Sequence, residues 1–535
     1  MTRVAEAEGT LRRELEEARA QLMELNKIGM ALMSEREPDK LLGLILTQAR
    51  RLSSSDAGSL YLVETDEVGG LEQLHFLRSQ NDTLPHLPSP DFTLPLDETS
   101  IAGYVASTGE PLVLDDVYEM PADLPFSFNK AAFDEKYGYR AKSMLVVPMV
   151  DHRDRVVGVL QLINRKSDTE AAIRTDEDSD QWVLPYTDQE VSIVQSLAGQ
   201  AAVSIENGRL YQDITHLFEG MVKAASTAID QRDPSTAGHS RRVTKLSCLT
   251  AELVNAQTDG PFKDVHFTAQ ELKQLEYAGY LHDFGKVGVR EEILVKAKKL
   301  PLVLQAVVEA RFQLIRRTIE VDAIQAKVDL LSAKGLEDPT AIAELDERLA
   351  ADLAALAEYR TAVEEANIPR VLPEAAAGVL REIAGKTFTA PDGTEQPYLT
   401  EQELHYLSIP KGSLDDSERK QIESHVVQSC DFLSRIPWTE EFSRLIEIVR
   451  GHHEKLNGRG YPDGVTGEHL SLETRIMTVC DIYEALTANR HYKRGLPVDK
   501  ALSILRMEAG EGALDPDVVE LFCTSGVYEQ APPEG

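Results

Sequence analysis

The residues that most constrain this chain are His239, the pair His282-Asp283, His425, the pair His452-His453, and Asp481, strung through its C-terminal half. The chain has 13 histidines in 535 residues, and these five lie on or beside stretches that read as helices. Neutral imidazoles and carboxylates suit Mn, Fe, Ni or Zn, and the two oxygens of one aspartate can bridge a pair of such ions. The pattern reads as a hydrolytic di-metal centre, which requires the fold to gather segments far apart in sequence.

His282-Asp283-Phe284-Gly285-Lys286, followed by His452-His453-Glu454-Lys455-Leu456-Asn457-Gly458-Arg459-Gly460-Tyr461-Pro462, resembles the HD-GYP domain. That family is a branch of the HD metallophosphohydrolases that opens cyclic di-GMP. Arg232-Asp233-Pro234 before Gly238-His239-Ser240, and Ala485-Leu486-Thr487 after Asp481, match in the same order. A lone histidine is most often a satisfied core or surface residue, but here each member of the set falls in its own matching motif. His216, His266, His405, His469 and His491 have no such context and read as structural, as do Asp463 and Gly464.

The resemblance assigns roles position by position. It implies that His239, His282, Asp283 and Asp481 hold one ion and that His425, His452 and His453 hold the second, with Asp283 bridging. Asp283 and Lys286 are the implied catalytic pair, Lys286 meeting a non-bridging phosphate oxygen. Tyr461 would shape the substrate side of the pocket. Arg490 and Lys493 fall where relatives meet phosphate or guanine, either of which an arginine grips with two parallel hydrogen bonds. Glu484 replaces the family's aspartate with a side chain one methylene longer and is placed among the substrate contacts. Some members hold a third ion with a glutamate four residues before the first histidine; Ser235 stands there, so two ions are expected. The thiol-free donor set favours Fe or Mn and leaves Ni, Zn or Mg open.

A formal net charge of −33 disfavours DNA, RNA or an acidic membrane surface as partner. A phosphate substrate needs a local cationic pocket, which metal ions with Lys286, Arg490 and Lys493 could supply. No apolar run approaches a membrane span, and residues 1–6 start no apolar signal core, so a cytoplasmic location is expected. Cys248, Cys430, Cys480 and Cys523 are far apart without metal-type spacing and read as buried thiols of a reducing compartment.

The rest of the chain divides by periodicity. Residues 1–37 read as an N-terminal helix with Leu11, Leu15, Ala18, Leu22, Leu25 and Leu32 along one seam, open to packing on its own domain or to a parallel dimer. Residues 38–187 alternate helix and strand signals, with strands at 60–63, 143–149 and 156–164 and a hairpin around 151–154. With Ser100–Val105 and Gly109–Leu112, this segment resembles a GAF domain, an α+β sensor module. GAF domains that bind cyclic nucleotides carry an Asn-Lys…Phe-x-x-x-Asp-Glu pattern. Here it is reduced to Asn164-Arg165 and Tyr186-Thr187-Asp188-Gln189-Glu190, which leaves a cyclic nucleotide, another small molecule or a pure relay role open. Residues 188–230 read as a signalling helix. The expected fold is therefore a GAF domain followed by an all-α HD bundle (231–299 and 411–520). The bundle is interrupted by an insertion (300–410) containing a helical hairpin, and a tail follows (521–535). The hairpin is open as a protein-partner arm, a dimer arm or a lid.

Taken together, the resemblances imply a homodimeric cyclic di-GMP phosphodiesterase under GAF control that yields pGpG and, on further cleavage, GMP. The alternatives are a catalytically silent receptor signalling through the insertion and a hydrolase of another cyclic dinucleotide.

Overall fold

The computed structural model describes residues 16, 19, 23–35, 37–65, 72–86, 92–121, 123–128, 134–232, 238–334, 339–489 and 494–531. It separates into two compact units, Met1–Leu217 and Phe218–Gly535.

In the first unit seven strands form one sheet: β1 (Ser55–Thr65), β2 (Glu72–Asn81), β3 (Phe92–Pro95), β4 (Leu112–Leu114), β5 (Met144–Val150), β6 (Val156–Lys166) and β7 (Val183–Leu184). The order is β3-β2-β1-β6-β5-β4, β7 pairs with β6, and the pairings are antiparallel. Alternation along the strands builds a core on each face. Leu60, Leu145 and Leu160 pack with Ile45 and Leu46 of helix Pro38–Ser53. Their strand neighbours Tyr61, Val146 and Val159 pack with Val105 of helix Ile101–Thr108. The β5–β6 hairpin turns at Asp151, whose Oδ1 accepts the backbone N–H groups of Arg153 and Arg155.

Two expected boundaries shift. The 45-residue helix Asp188–Arg232 does not begin as a linker. Leu197, Ala201 and Ile205, spaced by four, put an apolar stripe into the core shared by helix Pro38–Ser53, so the sensor unit continues well past residue 187. Residues 23–34 are helical, and Ile28 and Leu32 are buried in that same core with Leu25 against it. Leu11, Leu15, Ala18 and Leu22 of the expected seam lie outside the described residues.

In the second unit, helices His239–Asn255, Ala269–Leu281, His425–Leu433, Leu445–Gly451, Leu472–Thr487, Val498–Gly510 and Pro516–Ser525 share one core. The expected tail from 521 is part of it. Phe522, Cys523, Val527 and Ala531 are buried there, and the ring of Tyr528 lies 5.7 Å from that of Tyr483. Leaving these apolar groups in water would forfeit roughly 1.5–3 kcal/mol for each large one.

Residues 300–407 have a core of their own, including Phe312, Ile315, Leu356, Val363 and Leu380. Helices Leu302–Lys334 and Pro339–Ala366 run antiparallel: Glu309, early in the first, pairs with Arg360, late in the second, while Lys327 pairs with Asp346. Helix Glu374–Ala384, strands Thr387–Thr389 and Glu395–Pro397 joined through Gly393 at φ 85°, and helix Glu401–Leu407 complete the insertion.

Candidate metal centre

Helix ends deliver most of the histidines. His239 and His425 are the first residues of their helices, whereas His282 and His452 cap the C-termini of Ala269–Leu281 and Leu445–Gly451. Asp283 and His453 come next in the chain, and Asp481 projects from the middle of Leu472–Thr487. The segments approach closely. A Cβ at Gly285 would stand 1.9 Å from the carbonyl oxygen of His425. Ser429 ties the same two segments, donating to the His282 carbonyl at 2.8 Å and accepting from the Gly285 N–H at 2.7 Å.

Three imidazoles are oriented alike. Nδ1 of His282, His425 and His452 donates to the carbonyl three residues earlier, Gly279 at 2.7 Å, Ile422 at 2.6 Å and Val449 at 2.6 Å. With the proton at Nδ1, a neutral ring carries its lone pair on Nε2. All three Nε2 atoms are buried and lack a hydrogen-bond partner. Two of them nonetheless face Asp283: His282 Nε2 lies 3.3 Å from Oδ2 and His425 Nε2 lies 3.3 Å from Oδ1. Lone pairs opposed at that distance need a cation or proton between them. Buried, unpartnered donors around a shared carboxylate are what a divalent ion satisfies, so the residues fit the implied metals.

The candidate ligand atoms form two groups, His239/His282/Asp283 and His425/His452/His453, each within 4.8 Å. Asp283 turns Oδ2 toward the first, 3.5 Å from His239 Nε2, and Oδ1 toward the second. Asp481 borders both, with Oδ1 3.1 Å from His239 Nε2 and Oδ2 3.6 Å from His453 Nδ1. Burial holds His425 and His452 below the ordinary imidazole range and His453 down at about 3. Burial opposes ionisation of Asp283, but Lys286 and His282 outweigh it and keep the carboxyl well below the usual range. Neutral imidazoles beside an ionised carboxylate are the form that binds metal. His239 and His282 differ: burial disfavours their charge, yet Asp283 raises the pKa of His282, and bonds to Asp481 and Glu484 raise that of His239 to about 10.

Glu484 departs from its expected place at the substrate. It is buried, one oxygen accepting from His239 Nδ1 and the other from Arg242 Nε at 2.7 Å and from Nη2. Glu484 follows Asp481 by one helical turn and Arg242 follows His239 by one, so the two helices face each other with both pairs. Glu484 thus stands behind His239 as the carboxylate that orients it. Arg242 escaped the sequence reading; its signal was a cation one turn from a candidate ligand. Asp230 also escaped it. Its carboxylate accepts from Gly238 N at 2.9 Å and Ser240 Oγ at 3.3 Å, fixing the turn into the His239 helix through a loop contact that no local periodicity marks.

Lys286 Nζ lies 2.8 Å from Asp283 Oδ2, beside the place of the shared carboxylate. Tyr461 donates its N–H to the His453 carbonyl at 3.2 Å, and its ring lies 4.7 Å from that of His453. Glu454 Oε1 holds the following turn by accepting from the N–H groups of Asp463 and Gly464. Arg490, Lys493 and Ser235 lie outside the described residues. In the first unit, Asn164 and Arg165 of the reduced nucleotide pattern make structural bonds. Asn164 bridges Lys142 N, Arg140 O and Tyr139 Oη, and Arg165 pairs with Glu190.

A GAF-domain family model matches residues 37–205, and an HD-domain model matches residues 401–518. The chain joins a GAF domain to an HD domain. The HD match includes His425, His452, His453 and Asp481 and starts at the end of the insertion that separates them from His239, His282 and Asp283. The GAF–HD chain is similar to a 3'3'-cGAMP-specific phosphodiesterase of Vibrio cholerae, 41% identical over 106 residues, or 20% of this chain and 22% of that protein. It is also similar to a cyclic di-GMP phosphodiesterase of Pseudomonas aeruginosa, 29% identical over 256 residues, 46% of this chain and 57% of that protein. It therefore spans less than two thirds of either relative. Among solved structures, a GAF domain/HD domain protein from Geobacter sulfurreducens is similar at 19% identity and TM-score 0.23, covering 34% of this chain and 98% of that one. No helix among the described residues is long and apolar enough to cross a membrane.

Proposed function

We propose that the HD domain is a two-metal phosphodiesterase that opens cyclic di-GMP to pGpG, with GMP as the product of further cleavage, and that the GAF domain regulates it. The observation that carries this reading is the pair of facing ligand groups that share Asp283, with three buried Nε2 lone pairs left unpartnered. His239, His282, Asp283 and Asp481 would hold one ion, and His425, His452 and His453 the other. Two divalent ions, Fe or Mn by donor type, would supply Lewis acidity toward phosphate oxygens and lower the pKa of an attacking water. Asp283 keeps one oxygen on each group. Lys286, anchored beside it, offers a cation to a non-bridging phosphate oxygen, and Tyr461 walls the side where a nucleotide enters. The backbone-held imidazoles keep their donor atoms aimed inward without reorganisation at each turnover.

A regulatory ligand has room in the GAF domain. A cavity of about 420 Å³ is lined by Tyr61, Phe76, Tyr139, Gln161 and Asp134, whose Oδ1 is buried without a partner.

The test is anaerobic purification, a metal count per chain, and cyclic di-GMP hydrolysis beside Asp283→Ala. Two ions with turnover abolished in the variant is the expected result; ions without turnover on any cyclic dinucleotide would overturn the enzymatic reading. The relative specific for 3'3'-cGAMP supports a second reading, in which that dinucleotide is the preferred substrate. Comparing kcat/KM for the two dinucleotides in one preparation decides between them.

A further inference from the structure

The hairpin helix Leu302–Lys334 carries two apolar stripes. Val308, Phe312 and Ile315 are buried within the insertion, with Ile319 packed against them. One position earlier in register, about 100° around the helix, a second stripe faces solvent. Val307, Leu314, Val321 and Val328 follow at intervals of seven, with Ile324 and Leu331 three residues after the last two. All six are exposed, Val321 to 60% and Ile324 to 59%. The partner helix Pro339–Ala366 exposes no large hydrophobic side chain among the described residues, so the exposure is specific to one helix. A heptad seam spanning more than three repeats, with valine at three of its four seven-residue positions and leucine at the other, has the geometry of helix-to-helix docking.

We propose that this stripe docks against the same stripe of a second copy of the chain, antiparallel, about a two-fold axis near residue 319. Charge chooses the occupant and its direction. Arg317 interrupts the seam at its middle, and Glu320 flanks it 2.5 Å from the Arg317 guanidinium. Parallel docking would set Arg317 on Arg317. Antiparallel docking sets each Arg317 beside the other copy's Glu320 and places Ile324 opposite Leu314 and Leu331 opposite Val307. The insertion is then a dimer arm, whatever substrate the HD domain takes.

Double electron–electron resonance on the full chain tests this, with nitroxides at Asp322→Cys or Asp329→Cys and the unsubstituted chain as the labelling background. Both positions are exposed. They lie three and ten residues from the axis, so at 1.5 Å per residue their separations along the helix are about 9 Å and about 30 Å. With the lateral gap between the paired helices added to both, the expected result is an inter-copy distance about 15 Å shorter at 322 than at 329, lost from both when Val321→Glu and Ile324→Glu are introduced. Should those glutamates lower the melting temperature, Val321→Gln and Ile324→Gln replace them. Equal distances at the two sites would mean parallel docking. No inter-copy distance at either, even from a chain dimeric by mass or bound to another protein, would mean that this face serves something else. Either outcome overturns the proposal.

Discussion

His239 and the trio His282, His425 and His452 are held by different means. Each of the trio leans on a backbone carbonyl three residues earlier, a support that no side-chain substitution removes. His239 leans on Glu484, which is itself clamped by Arg242. A carboxylate behind an imidazole raises its basicity as a ligand and fixes its tautomer. His239 therefore has an orienter that evolution or an experimenter can tune, while His282, His425 and His452 are set by helix geometry.

The largest test of that contrast is Arg242→Met. It leaves buried Glu484 without one of its two cationic partners, His239 being the other, and breaking a buried pair typically costs about 3–5 kcal/mol. Urea denaturation should show that loss, and adding Glu484→Gln should recover part of it. If Arg242→Met alone is nearly neutral, the pair is not a clamp. On the backbone-held side the matching change is Gly285→Ala. Its Cβ would meet the His425 carbonyl at 1.9 Å, so that segment must shift, with an overpacking cost of about 1–3 kcal/mol. Metal analysis should find the ion of the His425 group lost before the other.

Glu484→Gln sharpens the comparison without a cavity. An amide can present oxygen to Arg242 or to His239 but must turn an NH₂ donor toward the remaining one. Loss of such an outer support typically weakens metal binding about 10–100-fold. Titration calorimetry should show one of two binding steps weakened. Equal weakening of both would dissolve the distinction between the groups.

Sequence conveyed the candidate ligands, which the fold does bring together, better than the groups that support them. Histidines and aspartates at the required positions are chemically distinctive, and helix-end placement leaves local marks such as Gly238 before His239. Strands of the GAF sheet such as Met144–Val150 were legible because they are short, continuous apolar runs rich in valine, buried on both faces. Glu484 was misplaced because a carboxylate one turn from Asp481 has the same sequence signature whether it faces substrate or the back of His239. Only the facing helix, bringing Arg242, decides. The tail was misjudged because Phe522, Val527 and Tyr528 are spaced across a helix, a turn and a short 3-10 segment, so no single period links them.

The smallest expected effect concerns Tyr461, which lies beside His453 and His425. Its ring rests 4.7 Å from that of His453 and 6.5 Å from that of His425. Tyr461→Phe keeps that ring and should leave metal content unchanged. Tyr461→Ala removes the ring that walls the substrate side, and loss of an aromatic contact to a nucleobase, worth about 0.5–1.5 kcal/mol, should raise KM about 2–13-fold with both ions retained. If metal analysis instead shows an ion lost from Tyr461→Ala, the ring orients His453. His453 would then depend on a side chain as His239 depends on Glu484, and each group would hold one imidazole so supported beside its backbone-held members.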